Sequence, residues 1–171
     1  MGSLAAVLNV PERARILHQA GLRLVLAAPA RATPETLPAE WEAFLAKAPA
    51  RPRVVFTYVE LARDLGKDPD PARGELFRGL ARHLAWPRGS IAFVPCLCPS
   101  TNRPAPDLFR LCIERLNPDC VACFGAEAVA AARAAADGLS TPPRLIPLPD
   151  PAELLALSEP ERAALLEPLR A

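Results

Sequence analysis

Between Leu116 and Val129 the chain has few structural options. Cys120 to Phe124 carries no charge and no helical period, which suits a strand covered by protein on both faces. Gly125 follows, where a sharp strand-to-helix turn would crowd any side chain. Ala126 to Asp137 is built almost wholly of small residues, so a helix there can lie close against a sheet. Gly138 is placed for a left-handed stop. Strand, tight turn and close-packed helix make one unit of a layered α/β domain.

The same alternation runs through the chain. Strands are expected at Arg53–Val59, Ser90–Pro95, Cys120–Phe124 and Arg144–Leu148, the last carrying Pro147 and suited to a sheet edge. Between them, helices are expected at Ala72–Leu84, Asp107–Leu116 and Ala126–Asp137, with one helical turn at Glu60–Leu65. Two further helices, Asp150–Leu157 and Pro160–Leu169, close the chain. The fold class is therefore α/β, a three-layer α/β/α sandwich around a central, mainly parallel four-stranded sheet. Ahead of it, residues 1–52 form an N-terminal helical segment and linker: a loose tail, a helix at Pro11–Ala20, a short strand at Leu22–Leu26, irregular chain over Ala27–Pro38 and a helix at Pro38–Ala48 with Trp41, Phe44 and Leu45 on one face. Residues 53–171 form the α/β domain, the two parts making one compact unit.

Composition excludes several function classes. At 51% hydrophobic residues the chain can build a real core, and a formal net charge of +1 exerts no global pull on nucleic acid or anionic lipid. No apolar run reaches the roughly 18 residues of a membrane span, and the start lacks the charged-then-apolar pattern of a signal peptide. A cytoplasmic location with no membrane partner is expected. There the five cysteines are reduced thiols or metal ligands rather than a disulfide framework.

Three segments carry a family resemblance. Leu116-Asn117-Pro118 through Val121, Gly125 and Ala128 resembles a motif strand of the uracil-DNA glycosylase superfamily. Cys98-Pro99-Ser100-Thr101-Asn102-Arg103-Pro104 is similar to the Cys-to-Asn-Arg-Pro loop of its iron–sulfur branch. Leu148-Pro149-Asp150-Pro151-Ala152-Glu153-Leu154-Leu155 is similar to its final strand and closing helix. The resemblance implies a site for a base flipped out of nucleic acid. It nominates Glu60, near the water-placing position after the first strand, and Asp150, aligned with the family's charge-stabilising His, as catalytic candidates. Tyr58, Asn102 and Arg103 are nominated for binding. The motifs are altered where the chemistry lies. Thr57-Tyr58-Val59-Glu60-Leu61 lacks the family's Gly and Pro. Pro95 stands where a base-reading Asn is expected and has no side-chain hydrogen bond to offer. A carboxylate at 150 would repel a departing uracil anion. The local reading of Asp150 is a helix N-cap, with Pro151 at the first helical position and Glu153 completing a capping box.

Cys96, Cys98, Cys112, Cys120 and Cys123 pose a separate question. Four thiolates can hold zinc or an iron–sulfur cluster. However, Cys120 and Cys123 are three apart in a strand and point to opposite faces, and Cys112 lies on an apolar helix stripe. Resident cofactors are expected to be none, with zinc or a cluster as the alternative. His18 and His83 have no partner pattern, and Arg78, Arg82 and Arg88 cluster around one helix end and read as a solvated face, with a small basic patch as the alternative.

Ile16 to Leu26, with Pro151–Leu155 and Glu161–Leu166, is similar to the psi subunit of the bacterial DNA polymerase III clamp loader, which resembles a glycosylase fold stripped of its catalytic motifs. That resemblance implies an adaptor with a protein partner, such as clamp-loader or repair proteins, and an N-terminal peptide as the binding element. The leading expectation is thus a non-catalytic glycosylase-like binding module in DNA replication or repair, with DNA as a further possible partner. The alternatives are a divergent active uracil-DNA glycosylase and a cysteine-ligated metal module.

Overall fold

The computed structural model describes residues 36–66 and 68–170. The helix expected at 11–20, the strand at 22–26 and His18 lie outside the described residues, as does most of the irregular stretch at 27–38. Pro34–Ala171 is one compact unit, so the helix at Ala39–Leu45 (α1) belongs with the α/β domain. The reason is Trp41, which is fully buried in its core.

Four strands form one all-parallel sheet: β1 (Val54–Tyr58), β2 (Ile91–Phe93), β3 (Cys120–Phe124) and β4 (Arg144–Leu148), in the order β2-β1-β3-β4. β4 is an edge strand, which is what Pro147 requires, since proline brings no N–H to a ladder. β2 is shorter than expected. The Val94 N–H still donates to the Phe56 carbonyl at 3.2 Å, but Pro95 has no N–H and the pairing stops.

Alternation along the strands makes two cores. Val55, Ala92, Val121 and Cys123 face α1, α4 (Pro106–Leu116) and α5 (Ala126–Ala136). Val54, Phe56, Tyr58, Ala122, Phe124 and Ile146 face the other layer. That layer holds α2 (Leu61–Asp64), α3 (Pro71–Leu84), α6 (Pro151–Ala156), α7 (Glu159–Leu165) and α8 (Glu167–Arg170). The sandwich has the three layers expected. On the first face the buried positions of α5 are all alanine (128, 131, 132 and 135), so its backbone can lie close to β1, β3 and β4. On the second, Phe56 meets Phe124 at 5.1 Å and Phe93 at 5.6 Å in edge-to-face geometry. Such pairs add about 1 kcal/mol each beyond burial.

Helix ends follow local rules, with two corrections. α4 stops at Asn117, whose left-handed φ of 45° lets its N–H donate to the Ile113 carbonyl at 2.8 Å. The Asn-Pro pair of the motif strand is thus a helix stop followed by a residue that cannot continue it. Gly138, expected to be a left-handed stop, has no positive φ; α5 ends through a right-handed Asp137. At 138 a Cβ would lie 2.7 Å from Arg110 Nη1, so any other residue would make that flexible side chain move aside. The expected helix Pro160–Leu169 is two pieces, α7 and α8. The break falls at Leu166, and Pro168, which has no N–H to give the Ala164 carbonyl, sits at the second position of α8, where none is required.

Gly125 performs as expected, with φ at +91° in the turn from β3 to α5. A Cβ there would also sit 2.9 Å from Asp150 Oδ2. Gly79, inside α3, has open space around it. In urea denaturation, Gly125→Ala is expected to destabilise the protein by about 1–3 kcal/mol. Gly79→Ala should stabilise it by about 0.5–1 kcal/mol.

Candidate functional site

Parallel strands bring all their carboxyl ends to one edge, where the connecting loops meet. Here that edge carries Val59 and Glu60 after β1, the loop from Val94 to Ala105 after β2, Gly125 after β3, and Pro149 and Asp150 after β4. The nominated residues therefore do approach one end of the molecule, but most are held by their own neighbours.

Asp150 is a helix cap. Its Oδ1 accepts the Ala152 N–H at 2.9 Å, and its own N–H donates to Glu153 Oε2 at 3.1 Å. Both halves of the capping box form as the sequence indicated. Its second oxygen lies over Gly125.

Tyr58 points into the second core, 3% exposed and stacked on Phe77 with ring centroids 4.7 Å apart. Its hydroxyl donates to Asp64 Oδ2 at 2.9 Å. Asp64 is the centre of a network. Arg73 Nε donates to Oδ2 at 2.6 Å and Nη2 to Oδ1 at 2.8 Å, while the Asp70 N–H donates to Oδ1 at 3.1 Å. The Asp64 and Arg73 side chains are only 9% and 13% exposed. Burial raises the Asp64 carboxyl's affinity for a proton, but the Arg73, Asp70 and Tyr58 hydrogen bonds outweigh it and hold the group below its usual range. Burial, then the bond to Asp64, pushes the Tyr58 phenol well above its ordinary value.

Glu60 differs. It sits at the N-cap of α2 without a side-chain capping bond, and its Oε2 is buried with no hydrogen-bond partner among the described residues. It lines an open cleft of about 890 Å³ together with Glu40, Phe44, Val59, Ser100 and Asn102. Asn102 is held in a tight loop: its φ is +52°, its N–H donates to the Cys98 carbonyl at 2.8 Å, and the Cys98 N–H donates to the Arg103 carbonyl at 2.8 Å. Arg103 is exposed. The hydroxyl of Thr57, on fully buried β1, also lacks a partner among the described residues.

The five cysteines are not gathered. Cys96, Cys112 and Cys123 are buried in the first core and Cys120 in the second. Among the described residues no three His, Cys, Asp or Glu side chains are arranged to hold a metal ion. Burial pushes the Cys112 and Cys123 thiols up to about 12 and raises those of Cys96 and Cys120. Cys98 is partly exposed, 3.2 Å from Ser100 Oγ and 3.7 Å from Glu40 Oε1. Partial burial works to raise its pKa, but the Ser100 and Thr101 hydrogen bonds lower it on balance.

Sequence reading missed Glu40, Ser100, Asp64 and Arg73. Glu40 Oε1 accepts from Ser100 Oγ at 3.2 Å across sixty residues, and no local pattern signals such a pair. Asp64 and Arg73 stand nine apart across a loop, where helical spacing says nothing. For Thr57, a hydroxyl inside an otherwise apolar strand was the available signal.

No known family model matches this chain, and no curated protein matches it.

Asp64→Asn removes the nearer of Arg73's two charged partners, leaving Asp70 Oδ2 at 3.0 Å from Nη1, and is expected to cost about 1–3 kcal/mol at neutral pH. The native carboxyl's pKa is depressed, so its stabilising effect is full above the ordinary value of 3.8 and is lost as pH falls through the lower folded value. Denaturation curves of wild type and variant should therefore converge below that pH. Thiol labelling of the folded chain should show Cys98 reacting first, with Cys96, Cys112, Cys120 and Cys123 following only on unfolding.

Proposed function

We propose that this chain is a non-catalytic binding module on a glycosylase-like α/β/α fold, serving an assembly of DNA replication or repair. The single observation behind the reading is the commitment of Asp150. A group held in a capping box and pressed over Gly125 is not available to a departing base. Two further features point the same way. Pro95 offers no hydrogen bond at the second nominated position, and Tyr58 is tied to Asp64 in the opposite core. The assignment to replication or repair rests on the resemblances to glycosylases and to the psi subunit, which favour a protein partner such as a clamp-loader component.

In this reading the carboxyl-edge cleft receives a segment of the partner. Phe44 and Val59 supply apolar contact. The partner's N–H or O–H donor meets Glu60 Oε2, relieving a buried acceptor that costs about 1–3 kcal/mol when left unpaired.

That same oxygen favours a second reading, a divergent glycosylase in which Glu60 positions water. Uracil excision from single- and double-stranded oligonucleotides separates the two. The expected result is no excision by wild type above a protein-free control. Excision that disappears in Glu60→Gln would establish the enzyme and overturn the binding-module reading.

A further inference from the structure

The formal charge of +1 hides an uneven distribution. Glu40, Glu60 and Asp68 line the carboxyl-edge cleft with Arg63, and Asp150 caps the helix beside it; Arg103 is exposed on the loop after β2. The opposite edge, where the strands begin, carries arginines. Arg53 immediately precedes β1 and Arg144 opens β4. The register Val54–Cys120–Arg144 places Arg144 two strands from the start of β1, about 10 Å away at ordinary strand spacing. Both arginines act electrostatically on Cys120 between them. Arg88 lies in the turn before β2, joined to β1 where the Val54 N–H donates to the Ser90 carbonyl at 3.0 Å. The linker carrying Arg51 passes beside that turn, since a Cβ on Gly89 would meet the Pro49 side chain at 3.6 Å.

All four arginines are exposed, and among the described residues none lies within 4.0 Å of a carboxylate. Asp119, at the foot of β3, and Asp137, at the end of the helix leading into β4, are carboxylates of this edge and have no ion pair among the described residues either. Arg53 lies 4.8 Å over the half-buried Trp86 ring. Arg144 gives one N–H to the Pro168 carbonyl at 3.1 Å and keeps its other donors. Arg78 is paired with Glu75 and Arg115 with Glu42, while the exposed Arg63, Arg103 and Arg133 also have no ion pair among the described residues; what marks this edge is that four unpaired arginines share it.

We propose that this amino-terminal edge of the sheet binds the phosphate backbone of single-stranded nucleic acid through Arg51, Arg53, Arg88 and Arg144. Planar guanidinium forks match phosphate oxygens two at a time. A row about 10 Å long, set by the spacing of the strands, suits successive phosphates rather than one isolated anion. Trp86, packed against the second core with Arg53 over its ring, holds that guanidinium in place at the rim of the row. The acids at the other end leave the overall charge near zero while the local field stays positive. The inference is independent of what occupies the cleft.

The test is fluorescence anisotropy with a fluorescein-labelled oligothymidine and the full chain, beginning at about 50 mM salt and titrated upward. Wild type is expected to bind, with affinity falling steeply as salt rises. Arg51→Gln with Arg88→Gln should weaken binding at least about tenfold and flatten the log–log salt slope by about 1.4, roughly 0.7 for each phosphate no longer neutralised. Arg78→Gln should bind like wild type, and unchanged melting temperatures would show all variants folded. No binding by wild type at low salt, or full affinity in the double variant, would overturn the proposal. So would a polyglutamate peptide that binds in place of the oligonucleotide and fails to bind the same double variant, since that assigns the surface to an acidic protein partner.

Discussion

β3 gives none of its side chains to water: Cys120 and Cys123 are 3% and 1% exposed, Val121 1%, and Ala122 and Phe124 fully buried. A strand buried on both faces must have a strand on each side and a helical layer above and below. β1 and β4 supply the pairing. Covering both faces while keeping strands parallel requires helical crossovers, and these put every strand's beginning at one edge and every strand's end at the other. The alanine face of α5 and the aromatic cluster around Phe56 are two solutions to the same problem. One fills a layer by bringing backbones close, the other by using large rings.

The two edges then differ in chemistry. At the carboxyl edge the acids have structural work. Asp150 caps α6 and presses on Gly125. Asp64, just beyond β1, joins Tyr58, Arg73 and the start of α3. Glu60 is the exception, a carboxylate with one oxygen buried and unpartnered among the described residues, lining an open cleft of about 890 Å³. Buried acceptors are paired in the great majority of cases, by protein groups or ordered water, which sets Glu60 apart from the other acids of this edge. At the amino edge the arginines have few partners within the molecule, and the turn into β2 keeps them together.

The fold was readable because its signals are local. Cys120–Phe124 is an apolar run bounded by Asn117-Pro118 and Gly125, and Arg144–Leu148 is bounded by Pro142-Pro143 and Pro149; both strands occur at the expected residues. The Asp150 cap was readable for the same reason, since all of its partners lie within three residues. Gly138 was misread because the helix ends one residue earlier through a right-handed Asp137, and the glycine's neighbour is Arg110 from twenty-eight residues away. Tyr58 looked available for binding because strand alternation reveals only that it shares a face with Phe56. That its hydroxyl meets Asp64, and Asp64 meets Arg73, depends on how α2 and α3 fold back over β1. The cleft was invisible in the sequence because α1 and the loop after β2 build it together.

The central claim is that Asp150 and Asp64 at the carboxyl edge are committed to structure, and that the amino edge rather than the carboxyl edge recognises an anionic polymer. Backbone amide NMR on the labelled chain, with and without a short oligothymidine, addresses both halves at once. The account predicts shifts at Arg53, Gly89, Ser90, Asp119 and Arg144, with Glu60, Gly125 and Asp150 unmoved. Shifts concentrated at Glu60, Gly125 and Asp150 would contradict it and return the carboxyl edge to the role of a nucleic-acid site.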